Sequence, residues 1–182
     1  VQILDWPDLP SRMICMWAAS YRRSWEPSND PNVLKRYIEE VVAGNKLNVL
    51  SLMLDFEFEF DHNAKITKVN GMMSRETYAE IARLAKDHFI EFVPSLQSGG
   101  HSGHFTDVFP ELKEPGYHSG QVNVLHENWR KILFQCYDDI LAACPDAKYF
   151  MIWHDEWWHR PTEEVTDTFM GKPRWQIYRD EV

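Results

Sequence analysis

Asp155 and Glu156 are adjacent carboxylates inside the run Ile152-Trp153-His154-Asp155-Glu156-Trp157-Trp158-His159. Two carboxyl groups in one place can divide acid and base roles when their environments hold their pKa values apart. Trp153, Trp157 and Trp158 offer apolar surroundings, which disfavour the charged form of a carboxyl group and raise its pKa towards neutrality. The same indoles suit a sugar ring, whose C–H face stacks on an aromatic plane while its hydroxyls hydrogen-bond to nearby polar groups. The chain carries eight tryptophans, and aromatic residues make up 14% of it, so position must separate a sugar platform from ordinary core filling.

Histidines crowd the same stretches: His101, His104, His118, His154 and His159, together with Asp155 and Glu156, are all metal-ligand types. Their spacing argues against a metal centre. His154 and His159 are five apart, which on a helix sets them roughly 140° around the axis and off a common face. The three cysteines, Cys15, Cys136 and Cys144, lack C-x-x-C spacing and read as buried free thiols. No metal and no cofactor is expected. A formal charge of −9 without a Lys/Arg cluster disfavours nucleic acid as a partner. No apolar run approaches the roughly 20 residues of a membrane span, and Val1 to Pro10 shows no basic stretch followed by an apolar core.

The elements that must carry these residues alternate regularly. Arg12 to Trp17 reads as a buried strand after Pro7 and Pro10, and the apolar spacing from Asn32 follows a helical period that stops at Gly44. Asn48 to Leu54 is a second strand, followed by an acidic, aromatic loop from Asp55 to Asp61 and a helix from Arg75 to His88 capped by Ser74. Ile90 to Leu96 is a third strand, with a Gly- and His-rich loop from Ser98 to His104 and a long amphipathic helix from Val124 to Ala143. Lys148 to Trp153 is a fourth, ended by His154-Asp155-Glu156, and a last helix begins near Pro173. This alternation predicts an α/β fold with parallel strands and right-handed crossovers, in one domain over residues 1–182. No Gly-x-Gly-x-x-Gly follows the first strand, which removes the main argument for a dinucleotide-binding sheet. A β/α barrel of the TIM type places its chemistry at the carboxyl ends of its strands, where each polar cluster here falls.

These residues resemble glycoside hydrolase family 20, the β-N-acetylhexosaminidases, and in particular its hexosaminidase D-like branch. Arg12 is similar to the arginine opening the family's first strand, Lys46-Leu47-Asn48-Val49-Leu50 to the approach to the second, and Asp55 to the acidic residues after it. Pro94, Gln97 and Gly100-His101 resemble the branch's third-strand pattern. Asp155-Glu156, on an apolar strand preceded by Cys144-Pro145, resembles the Asp-Glu dyad of the catalytic centre. The chain departs from the family where Trp153-His154 replace residues that are usually small before the dyad, and where Ser51 and Met53 replace histidines of the second strand.

The resemblance implies an eight-stranded barrel, of which about four strand-helix units are present. It implies removal of terminal β-linked N-acetylhexosamine, in which the substrate's own acetamido oxygen attacks the anomeric carbon. Glu156 is then general acid and later base, and Asp155 orients the acetamido group. Arg12, Asp55, His101, Trp153 and Trp157 are the expected substrate contacts. For Arg12 a clamp on sugar hydroxyls competes with a salt bridge to a buried carboxylate. His101 serves either the dyad and substrate or the loop backbone, and Asp55 reads better as a loop cap than as a catalyst. The implied partner is an N-acetylhexosamine-containing glycan, with the rest of the barrel or a second copy covering the open edges. A non-catalytic sugar-binding or scaffold module is the main rival reading, and a metal-dependent hydrolase the lesser one.

Overall fold

The computed structural model describes residues 8–17, 30–54, 58–66, 73–114 and 120–155, with 168–169, 172–173, 176 and 179. Four strands, β1 (Met13–Trp17), β2 (Val49–Leu54), β3 (Glu91–Gly99) and β4 (Met151–Asp155), form one parallel sheet in the order β1-β2-β3-β4. Between them run α1 (Pro31–Arg36), which continues as a π-helical stretch over Tyr37–Ala43, then α2 (Arg75–Asp87), and finally a short α3 (Gly103–Thr106) with α4 (Trp129–Ala143). Two-residue strands β5 (Thr168–Phe169) and β6 (Lys172–Pro173) pair antiparallel.

Local sequence starts the helices. Asp30 accepts a hydrogen bond from the backbone N–H of Asn32 at 2.9 Å, with Pro31 in the first turn. Ser74 caps α2 by accepting from the N–H of Thr77 at 3.1 Å, satisfying a donor that the first helical turn leaves over. In α2, Tyr78, Ile81 and Ala85 form the buried stripe. The Tyr78 hydroxyl donates to the carbonyl of Leu52 at 3.0 Å, and its ring meets Phe58 and Phe92 edge-on, with centroids 5.5 and 5.2 Å apart.

Strand order without a reversal separates a barrel from a doubly wound sheet, because successive right-handed crossovers keep every helix on one face. Alternation along the strands shows the two faces. Leu50, Leu52, Leu54, Phe92 and Leu96 join helix residues such as Leu34, Ile38, Ile81 and Ile132 in the main core. The opposite phase, Ser51, Met53, Val93, Ser95 and Gln97, is buried outside that core. There the Ser51 hydroxyl lies 3.0 Å from that of Ser95 and 3.7 Å from the Met151 sulfur. The sheet is a curled half-barrel, and this second face is its inner one.

Three elements differ by more than a residue from the bounds read off the sequence. β3 runs to Gly99 instead of Leu96, and β4 covers Met151–Asp155 instead of starting at Lys148 and ending at Trp153. The cause is the ladder between them, which pairs Ser98 with His154 and Gly99 with Asp155 whatever their polarity. α4 begins at Trp129, not Val124. Val122 and Val124 are buried in a non-helical segment, where the Asn123 side chain accepts from the N–H of Leu125 at 3.1 Å. Pro173 pairs in β6; of the chain beyond it only Gln176 and Arg179 are described, and both are helical, in keeping with a last helix in this stretch. Cys136 and Cys144 are buried and their thiols are pushed up to about 12 by burial, whereas Cys15 is exposed because it stands on β1 at the sheet edge. No described helix is long and apolar enough to cross a membrane.

The loop leaving β2 is fastened from a distance. Asp139 on α4, 3% exposed, accepts from the backbone N–H groups of Asp61 and His62 at 2.9 and 3.0 Å, and its other oxygen lies 2.6 Å from the His62 ring.

Candidate functional site

Asp155 is the last residue of β4, paired with Gly99. It lies two residues beyond Trp153 and four beyond Met151, so all three share the inner face. Trp153, His154 and Asp155 are half-buried. The fully buried Gln97 of β3 reaches Asp155: its side-chain amide donates to Asp155 Oδ2 at 3.2 Å and to the carbonyl of Gly100 at 3.0 Å. Gln97 Oε1 is buried and meets no hydrogen-bond partner among the described residues. An unmatched buried acceptor costs on the order of 1–3 kcal/mol. Exchanging the amide's oxygen and nitrogen would relieve nothing, since the oxygen would then face a carbonyl and a carboxylate, both acceptors.

The turn after β3 is fixed by conformation and by contact. Gly99 has φ +89°, and a side-chain carbon added there would stand 2.7 Å from His154 Nδ1. His154 Nδ1 donates to the carbonyl of Ser98 at 3.0 Å, which places the ring proton on that nitrogen. Burial lowers the His154 pKa, and the bond to Ser98 partly opposes the shift. His101 follows in the left-handed region at φ 51° with its side chain exposed. Ser102 donates its hydroxyl to the Gly100 carbonyl at 3.2 Å and its backbone N–H to Gly120. The excursion returns where Val122 N–H donates to the carbonyl of Gly99 at 3.2 Å. Within it the buried Gln121 amide donates to Glu114 at 2.8 Å.

Of the residues singled out in the sequence, the structure brings Trp153, Asp155 and the His101 turn to one end of the sheet. Asp55, Glu156 and Trp157 lie outside the described residues. Arg12 is elsewhere. It precedes β1, and its guanidinium donates to the carbonyls of Lys46 and Leu9, so neither the sugar clamp nor the buried carboxylate partner is seen there. Met13 shares a register row with Val49 and Glu91, and Asp155 shares one with Gly99. The eight residue steps from Glu91 to Gly99 correspond to on the order of 25 Å of strand. Gln97, which the sequence reading quoted only as part of the third-strand pattern, was not among the expected site residues. Its signal was its phase on β3, which a polar residue satisfies only on the inner face or beside a partner.

A cavity of about 500 Å³ lies near the amino end of β3, on the helical side, between α2 and the connection from α4 to β4. Ion pairs Lys86–Asp146 at 2.7 Å and Lys148–Glu91 at 2.8 Å sit along it. It is remote from Asp155. Among the described residues, no three His, Cys, Asp or Glu side chains are grouped to hold a metal ion.

No protein-family model matches the chain. Over 40 residues it is 55% identical to beta-hexosaminidase B of Pseudoalteromonas piscicida, covering 22% of this chain and 5% of that protein. Among solved structures it is similar to the chitobiase of Flavobacterium johnsoniae, with a TM-score of 0.67 and 22% identity over 84% of this chain and 24% of that one. A mutant β-hexosaminidase of Streptomyces plicatus bound to its product GlcNAc gives 0.65 and 22%, over 80% of this chain and 32% of that one. The family 20 exo-β-N-acetylglucosaminidase of Vibrio harveyi gives 0.67 and 17%, over 82% and 28%. The chain thus spans a third or less of these three solved proteins, and its four strands and their helices have the fold of the amino-terminal part of the β/α barrel in those hydrolases.

Proposed function

We propose that this chain carries the acid/base half of a glycoside hydrolase site that removes terminal β-linked N-acetylhexosamine. The observation that supports it best is the position of Asp155: on the inner face, at the carboxyl end of the last strand of a parallel half-barrel, held by a buried amide. That end is where β/α barrels place their chemistry. In this reading Asp155 accepts the acetamido N–H and turns the acetamido oxygen towards the anomeric carbon. Glu156, next along the chain, protonates the departing oxygen and then takes a proton from water. Retention of configuration follows, because the substrate's own oxygen attacks the face opposite the leaving group and water then attacks opposite that oxygen, on the face the leaving group vacated. Trp153 and Trp157 supply stacking surface, and His101, exposed on its turn, is within the loop that would meet the sugar. The Pro94, Gln97 and His101 pattern favours the hexosaminidase D-like branch.

The rest of a barrel, in further strand-helix units or a second copy, belongs to the same proposal. Met13 on the β1 edge is 40% exposed and Ile152, on the helix-facing phase of β4, is 51% exposed. Both would be covered by neighbouring units. The same open edges favour, as a second reading, a fragment that binds a sugar without cleaving it.

Release of chromophore from aryl β-N-acetylglucosaminide and β-N-acetylgalactosaminide tests the proposal. Glu156→Gln is expected to lower kcat by about 10²- to 10⁴-fold, the usual contribution of a general acid. A folded wild-type sample that binds N-acetylglucosamine but releases no chromophore would establish the binding fragment instead.

A further inference from the structure

We infer that Gln97 is a positioning residue for the site, a clamp that sets the carboxylate of Asp155 against the turn at Gly100. The inference rests on the reading of Asp155 as the group that orients the acetamido arm. Gln97 stands on the inner face of β3, paired in register with Trp153, and is fully buried. Its one amide nitrogen serves two acceptors from different parts of the chain, the Asp155 carboxylate at 3.2 Å and the Gly100 carbonyl at 3.0 Å. Its oxygen has no hydrogen-bond partner among the described residues.

That asymmetry bears on purpose. A side chain present only to fill space would be served by methionine, which has similar length and no polar atom to bury unmatched. A side chain present for stability would use its oxygen as well. Here both donors are spent on fixing two groups relative to one another, and the unmatched oxygen is the accompanying cost. Rotation of the Asp155 carboxylate would forfeit an N–H bond to a charged group, which is stronger than a neutral one. The turn would move with it, because Ser102 also donates to the Gly100 carbonyl. In a substrate-assisted reaction the acetamido oxygen is the nucleophile, so a carboxylate misplaced by about an ångström misplaces the reacting atom itself.

The two bonds can be read without any turnover. In ¹⁵N-labelled protein, Asp155→Ala is expected to shift one side-chain amide proton of Gln97 and leave its partner largely in place; two unmoved resonances would overturn the clamp. Kinetics then tests its purpose. Gln97→Met keeps the volume and removes both donors, and in samples with wild-type circular dichroism kcat is expected to fall about 10- to 100-fold with KM changed less than about threefold. Gln97→Glu regains a donor only when the introduced carboxyl, facing Asp155 and the Gly100 carbonyl, carries a proton. Its kcat should therefore recover on acidification relative to that of Gln97→Met. Wild-type kcat in Gln97→Met at all pH values would overturn the positioning role. Wild-type protein without turnover, in which Asp155→Ala still moves the Gln97 resonance, would sink the hydrolase reading and keep the clamp.

Discussion

At the amino end of the sheet, Asn48 accepts from the backbone N–H of Arg12 at 2.8 Å and donates to the carbonyl of Pro10 at 2.8 Å, while the Arg12 guanidinium takes up two further carbonyls. At the carboxyl end, Gln97 leaves an oxygen buried and unmatched among the described residues, Gly99 and His101 hold left-handed backbone, and His154 is half-buried against a carbonyl. The first end spends its polar groups on closing its own backbone. The second spends them on placing side chains and leaves a buried acceptor unmatched in doing so, whereas left-handed backbone occurs at both ends, at Lys46 and Phe89 as well as at Gly99 and His101.

The contrast is most exposed to Gly99→Ala. Both the left-handed φ and the 2.7 Å approach to His154 Nδ1 oppose a methyl group there. A loss of about 2–3 kcal/mol in denaturant unfolding is expected; a neutral result would mean that the carboxyl end is not strained as described. Asn48→Ala should cost about 1–2 kcal/mol by removing two backbone bonds. It should leave N-acetylglucosamine binding unchanged by titration calorimetry, and a weakened affinity would join two ends that the structure separates. Acidification gives the smallest effect. Burial lowers the His154 pKa, so the unfolded chain binds this proton more readily than the folded one. The contribution is complete above the ordinary value of 6.5 and is lost as pH falls from there towards the lower folded value. Its slope is at most about 1.4 kcal/mol per pH unit. Thermal melts of wild type against His154→Phe isolate it, and identical pH dependence would remove His154 from the account.

Much of this arrangement was legible in the sequence, because strand phase and helix period are set by burial. Leu50, Leu52 and Leu54 alternate with Ser51 and Met53 along a strand buried on both faces, and Tyr78, Ile81 and Ala85 repeat around a helix, whatever their neighbours. What was not legible depends on partners distant in sequence. The pairing of Gly99 with Asp155 extends both strands past the polar residues that seemed to end them. The buried Val124 stands where the helix was read to begin, in a segment that is held by the Asn123 side chain instead. Arg12 looked like a site residue because composition does not record strand direction, and a residue before a parallel strand stands at the wrong end. The Gln97 bond to Asp155 joins residues 58 apart and has no local signature.

The hold of Asp139 on Asp61 and His62 bears on how far such a barrel can be cut and recombined. A strand-helix unit that ended with β2 and its loop would leave behind the α4 carboxylate that receives the loop's backbone, 77 and 78 residues later. The loop's shape is therefore inherited from a different unit than the strand it follows. Exchanging β2 with its loop between related barrels would transfer the residues without their conformation unless α4 travelled with them.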